Sequence, residues 1–229
     1  MPAETKLGPT AKPVRILLVD DHPMVRQGII SVLAREDDFE VCGEAGTAAE
    51  AHEMARSLKP EVAVVDLALP DADGLELIKD LHTRYPDMVL LVLSMRDEEL
   101  YAERALRAGA RGYLMKGKRP RQLVEAIRTA LDGGVYLSET MASRLMRRLV
   151  DTDAETAEAS PVESLSDREL QVFTLIGAGL GPTRIAEKLH LSVKTIETYR
   201  AHIKRKLNLP DAAALRRCAI EWAQSNNPA

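Results

Sequence analysis

The chain has 229 residues, 45% hydrophobic and 29% charged, with only 3% aromatics. That is enough for two modest domains with cores built mainly from Leu, Val, Ile and Ala, and no apolar stretch is long enough for a membrane-spanning helix. The formal charge of −4 is uneven: from Pro161 onward ten Lys and Arg face seven Asp and Glu, so that end carries +3 and the remainder −7, which points to nucleic acid at the carboxyl-terminal end.

Residues 1–13 are polar, contain Pro and Gly, lack a signal-peptide core and read as a disordered tail. Val14 to Val19 is a first apolar strand that ends in Asp20-Asp21, and Pro23 opens a helix over roughly Met24 to Glu36. Glu40 to Ala45 is a second strand. Thr47-Ala48-Ala49-Glu50 has the form of a capping box for a helix to Leu58. The β-branched run Val62-Ala63-Val64-Val65 stops abruptly at Asp66, as a strand buried on both faces of a parallel sheet would. Asp73-Gly74 starts the next helix. Met88 to Ser94, a helix over Glu98 to Ala108, Gly112 to Met115 ending at Lys116, and a helix over Arg121 to Leu131 complete the series. Alternating strands and helices predict a doubly wound α/β domain over 14–135. Right-handed crossovers place Asp20, Asp21, Asp66, Ser94 and Lys116 on one edge of its sheet.

Residues 136–163 read as a linker: an amphipathic helix over Leu137 to Val150, then an acidic, Ala- and Thr-rich flexible stretch from Asp151 to Ser160. From 164 to 229 the pattern is entirely helical. Ser166 caps a helix to Ala178, Gly179-Leu180-Gly181 turns, and Pro182 begins a helix to His190. Ser192 caps Val193 to Leu207, and Asp211 caps a last helix to Gln224. Two short helices joined by a tight turn into a basic third helix form a helix-turn-helix pattern. The Gly177 to Gly181 stretch is not a nucleotide loop, since no strand precedes it and no Lys-Ser/Thr follows. Cys42 and Cys218 form no disulfide or metal framework and read as reduced thiols of a cytoplasmic protein.

Taken singly, Asp20 is a helix cap, Lys116 a solvated lysine and Ser94 a turn residue. Converging on one edge, the acids, the hydroxyl and the ammonium suit phosphoryl transfer to a carboxylate. Mg²⁺ favours carboxylate and water oxygens, and a cation such as Lys116 offsets charge on the phosphoryl oxygens. The motifs Leu18-Val19-Asp20-Asp21-His22-Pro23, Val65-Asp66 with Pro70 and Gly74-Leu75-Glu76, Leu93-Ser94-Met95 and Gly112-Tyr113-Leu114-Met115-Lys116 closely resemble the receiver domain of two-component response regulators. The resemblance implies a flavodoxin-like sheet, a phosphoacceptor at Asp66, and Mg²⁺ held by Asp21, Asp66 and the Ala68 carbonyl, with Asp20 acting through water. It also implies phosphoryl contacts from Ser94 and Lys116, and Tyr113 as the aromatic switch partner of Ser94; a strand Tyr is equally a core residue. Two positions depart from the family pattern: Gly117 follows the lysine where many receivers have Pro, and Met95 stands where many have a small residue.

In the third carboxyl-terminal helix, Ile196, Tyr199, Ile203 and Leu207 recur at core spacing. Lys194, Thr195, Glu197, Thr198, Ala201 and Arg205, flanked by Arg200 and Lys204, make a polar and cationic face suited to the major groove of double-stranded DNA. The alternative is an ordinary solvated face; without a Trp or Phe platform, single-strand stacking is disfavoured. Leu165-Ser166-Asp167-Arg168-Glu169, Ile185 to Leu189, Ser192 to Tyr199 and Lys206-Leu207 strongly resemble the LuxR-type helix-turn-helix, with Tyr199 where His is usual. The whole chain thus resembles a NarL/FixJ-type response regulator. The implied partners are a sensor histidine kinase, duplex DNA and, on phosphorylation, a second copy of the chain. The last helix, with Leu215, Ala219 and Trp222 on one face, serves either dimerisation or packing within its domain. Rival readings are a scaffold acting through protein contacts and a DNA binder indifferent to phosphorylation.

Overall fold

The computed structural model describes residues 12–117, 120–150, 161–189 and 191–226. Most of the expected tail, the acidic stretch 151–160 and the helix end at His190 lie outside the described residues. Two compact units are present. One runs to Ser94 and resumes over Ala105–Tyr136; the other comprises Met95–Arg104 and the residues from Leu137 on.

The first unit is built on five parallel strands, β1 (Val14–Val19), β2 (Phe39–Ala45), β3 (Val62–Val65), β4 (Val89–Ser94) and β5 (Gly112–Met115), in the order β2-β1-β3-β4-β5. β3 lies between β1 and β4, so both of its edges are paired. All four of its residues are at most 3% exposed, and full burial of each valine contributes about 1.5–3 kcal/mol. That explains why the run is apolar without alternation. The helices between strands are α1 (Pro23–Leu33), α2 (Ala48–Leu58), α3 (Gly74–Arg84), α4 (Glu98–Ala108) and α5 (Pro120–Leu131). Ile16 and Leu18 pack into one cluster with Ile29 and Leu33 of α1 and Leu123 and Ile127 of α5. α2 instead meets β1, β2 and α3.

α1 stops at Leu33, short of the expected Glu36. The acids Glu36, Asp37 and Asp38 would sit at the negative end of the helix dipole, so the chain turns before them. At α2 the Thr47 hydroxyl accepts from Glu50 N at 3.1 Å, but the Glu50 carboxylate reaches back to Gly46 N at 2.7 Å, one residue before the expected partner.

In the second unit α6 (Glu139–Val150) is followed by a short 3-10 turn over Pro161–Ser164, then α7 (Asp167–Gly177), α8 (Pro182–Leu189), α9 (Val193–Lys206) and α10 (Ala212–Asn226). Ser166 and Glu169 complete a reciprocal capping box, and Ser192 and Asp211 cap α9 and α10 through Thr195 N and Ala214 N. α7, α9 and α10 pack around Phe173, Ile196, Ile203 and Leu215, all fully buried. Tyr199 and Leu207, expected in that core, are half-buried. No helix among the described residues is long and apolar enough to cross a membrane.

Candidate functional site

The strand register brings the acids together. Val19 pairs with Val65 and Val65 with Val92, so the residues just beyond these strands share the carboxyl edge. Asp66 N extends the ladder by donating to Val19 O at 2.8 Å, and Asp20 N donates to Ala45 O at 3.0 Å. Both residues are 3% exposed.

Asp66 is fully engaged. Its Oδ1 accepts from Ser94 Oγ at 2.7 Å and from Ala68 N at 3.1 Å, and its Oδ2 lies 2.6 Å from Lys116 Nζ. The same ammonium is 2.6 Å from Asp20 Oδ2. Burial works against the charge of Lys116, but hydrogen bonds and the charges of Asp20 and Asp66 outweigh it and hold its pKa above the ordinary value. Lys116 N donates to Ser94 O at 2.8 Å, which fixes where the lysine leaves β5. Asp20 also caps locally as expected of an isolated Asp, accepting from His22 N at 2.9 Å. Asp21 is exposed, with its Oδ1 2.6 Å from His22 Nδ1. Ser94 is fully buried and Tyr113, beside Val92 in the sheet, is 1% exposed. Met95 turns outward at 60% exposure. Gly117 adopts φ of +88°, which a proline in its place would not reach.

Asp20, Asp21, His22 and Asp66 each offer a ligand atom, and these atoms lie within 4.8 Å of one another. Three of the four donors are carboxylates, the donor type that a hard divalent cation such as Mg²⁺ takes. A single buried ammonium does not neutralise three acids, so the group fits a cation electrostatically as well.

Three contributors were not foreseen from sequence. His22 joins the acids through its ring. Arg26 donates to Asp20 O at 2.6 Å while pairing with Glu44 at 3.0 Å. Gly74 permits the Asp66 loop to close: a Cβ there would lie 2.4 Å from Leu67 Cα and 2.6 Å from Asp66 O. In the sequence Gly74 shows only as a turn-favouring residue beside Asp73.

α9 presents the second candidate surface. Lys194, Glu197, Thr198, Ala201 and Arg205 are exposed, and Thr195, Arg200 and Lys204 are half-buried. Arg200 Nη1 pairs with Glu197 Oε1 at 2.8 Å, one turn away. The Thr198 hydroxyl bonds to Lys194 O at 3.1 Å, which leaves its methyl free to face outward. Lys206, the last residue of α9, turns elsewhere: its Nζ is 2.6 Å from the buried Glu169 carboxylate. Burial would raise the Glu169 pKa, but bonds from Lys206 and Ser166 win and hold it below the usual carboxylate range. Trp222 packs on Phe173 with ring centroids 5.6 Å apart, so at least part of the α10 apolar face serves its own domain.

Two family descriptions match this chain: the response regulator receiver domain over residues 16–128 and the bacterial regulatory proteins of the luxR family over 163–219. The oxygen regulatory protein NreC of Staphylococcus carnosus is 36% identical over 213 residues, 92% of this chain and 96% of that protein. RcsB from Salmonella enterica serovar Typhimurium, solved bound to promoter P1flhDC with the phosphomimetic BeF₃⁻, superimposes with a TM-score of 0.69 at 25% identity, over 92% of this chain and all of that one. A structure of two RcsB dimers bound to two parallel DNAs matches with a TM-score of 0.56 at 26% identity, covering 90% of this chain and 97% of that one.

Proposed function

The chain is a two-component response regulator with an amino-terminal receiver domain and a LuxR-type DNA-binding domain, and on that premise we propose that phosphorylation of Asp66 controls its dimerisation and its reading of operator DNA. We assign the receiver to 14–135, the linker to 136–163 and the DNA-binding domain to 164–229. The observation that carries the reading is the engagement of one buried carboxylate, Asp66, by both the Ser94 hydroxyl and the Lys116 ammonium.

In this reading a sensor histidine kinase supplies the phosphoryl group in the cytoplasm. An Asp66 oxygen attacks the phosphorus, the bond from phosphorus to the histidine nitrogen breaks, and that nitrogen recovers its electron pair. Asp21, Asp66 and the Ala68 carbonyl would hold Mg²⁺, with Asp20 supporting. The ion, when bound, supplies positive charge to the phosphoryl oxygens. Lys116 already sits against the acceptor and offsets charge gained there. Ser94 donates to the acceptor carboxylate and is placed to donate to a phosphoryl oxygen attached to it. Its movement toward that oxygen is the step Tyr113 would follow. Such a ligand shifts only states that it binds unequally.

α9 then enters the major groove. Lys194, Arg200, Lys204 and Arg205 contact phosphates, Thr195 lies near the helix start, and Glu197, Thr198 and Ala201 meet base edges. RcsB dimers on DNA support a symmetric pair of half-sites. The test of the acceptor is direct. Incubation with acetyl phosphate and Mg²⁺, followed by mass spectrometry, places the acyl phosphate on Asp66 alone. Label on an Asp66→Asn protein, or full labelling in EDTA, overturns the assignment.

A further inference from the structure

The second unit holds a connection that neither the phosphoryl chemistry nor the DNA contacts use. Arg104 of α4, with a side chain only 13% exposed, has every guanidinium nitrogen engaged. Nε donates to Leu100 O at 3.1 Å on its own helix, and Nη1 meets Asp167 Oδ1 at 2.5 Å. Nη2 donates to Glu163 O at 3.1 Å and to Leu165 O at 2.6 Å. The carbonyl between those two, Ser164 O, accepts from Lys206 Nζ at 3.0 Å. Three successive carbonyl oxygens are therefore held by two cations, one from α4 and one from the last residue of α9. Lys206 also pairs with Glu169, whose carboxylate accepts from Ser166 N at 2.7 Å. The segment Glu163–Glu169 is thus tied at its start to Arg104 and at its capping box to α9.

We infer that Arg104 is a positioning residue for DNA reading: it fixes Glu163–Asp167, and through that segment and Lys206 the end of α9, to the Met95–Arg104 segment that begins directly after Ser94. A planar guanidinium holds a carboxylate and carbonyls at set directions, so a shift of α4 either carries the segment with it or breaks several bonds together. A lysine or an apolar contact at 104 would slip instead. The inference rests on the reading of Ser94 and Asp66 as the phosphoryl site.

The experiment is amide hydrogen exchange on the full-length protein, with and without beryllofluoride and Mg²⁺, for wild type, Arg104→Ala and Asp167→Asn. Asp167 is 56% exposed at its side chain, so its variant removes the charge partner without opening a buried space. In wild type, beryllofluoride changes exchange both around Asp66 and over 163–169. In Arg104→Ala the response around Asp66 persists and the response over 163–169 is lost; in Asp167→Asn it is reduced. If Arg104→Ala does not fold, the reduction in Asp167→Asn decides. A purely structural role for Arg104 would speed exchange over 163–169 equally in both states and leave the response intact, which overturns the inference. A wild-type response around Asp66 with none over 163–169 overturns it alone. No response at either place also overturns the phosphoryl-site reading.

Discussion

Replacing Lys116 by Met removes the one ammonium shared by Asp20 and Asp66 and keeps a side chain of similar length. The two carboxylates then stand buried, with facing atoms no more than 4.8 Å apart. Two unit charges at that separation repel by about 3 kcal/mol at an effective dielectric near 20, in line with the roughly 3–5 kcal/mol lost when a buried pair is broken from one side. The variant is therefore expected to be about 3 kcal/mol less stable near neutral pH. A proton or a divalent cation should recover part of that loss. Stability of the variant should thus rise on mild acidification and on adding Mg²⁺. Wild type behaves differently. Its Lys116 pKa is raised on folding, so that contribution is complete below the unfolded value of about 10.4 and disappears only as pH climbs through the folded value. Urea titration followed by far-UV circular dichroism measures the change. The sole tryptophan, Trp222, lies in the other unit, and its fluorescence transition should stay in place. A Lys116→Met protein as stable as wild type, with no gain from acid or Mg²⁺, refutes the electrostatic account of this edge.

Gly74→Ala is expected to cost about 1–3 kcal/mol or more, because the new Cβ meets backbone rather than a movable side chain, and to slow phosphoryl uptake at Asp66; unchanged stability and uptake would contradict the close-approach argument. Glu169 has a pKa lowered on folding, so its stabilisation is complete above about pH 4.3 and fades as pH falls through the folded value. Acid titration of Trp222 fluorescence should show that loss, and Glu169→Gln should flatten it. In a binding-site selection titrated against salt, Lys204→Ala should weaken all duplexes and lower the salt slope by about one unit. Thr198→Ala should change preference by roughly 1–3 kcal/mol at one or two base pairs with little change in slope.

The fold was readable because each device is local. β3 is apolar without alternation since it is covered on both faces, and the caps at Ser166, Ser192 and Asp211 each lie three residues from the amide they bind. The acids could be gathered onto one edge because parallel topology leaves them nowhere else to go. What escaped depends on distances that no spacing encodes. His22 was visible only as a neighbour of Asp21, and its ring orientation is set by the tertiary turn after β1. In sequence Gly74 marks a helix start, but the need for glycine comes from the backbone of Leu67 and Asp66, which a Cβ would meet. Lys206 follows Lys204 and Arg205 in sequence, yet its Nζ bonds Glu169 and Ser164 O, partners far away in the chain. Helix ends were least legible: α1 could have continued to Glu36 by periodicity, and the helix dipole stops it at Leu33.

The claim that phosphorylation of Asp66 governs DNA reading is tested most directly by one titration. A duplex recovered by selection on the full-length protein is titrated with wild type and with Asp66→Asn, each with and without acetyl phosphate and Mg²⁺. Acetyl phosphate is expected to tighten binding by wild type, together with a shift toward dimer in sedimentation, and to leave Asp66→Asn unmoved. Equal affinity of treated and untreated wild type, or an equal gain in Asp66→Asn, would contradict it.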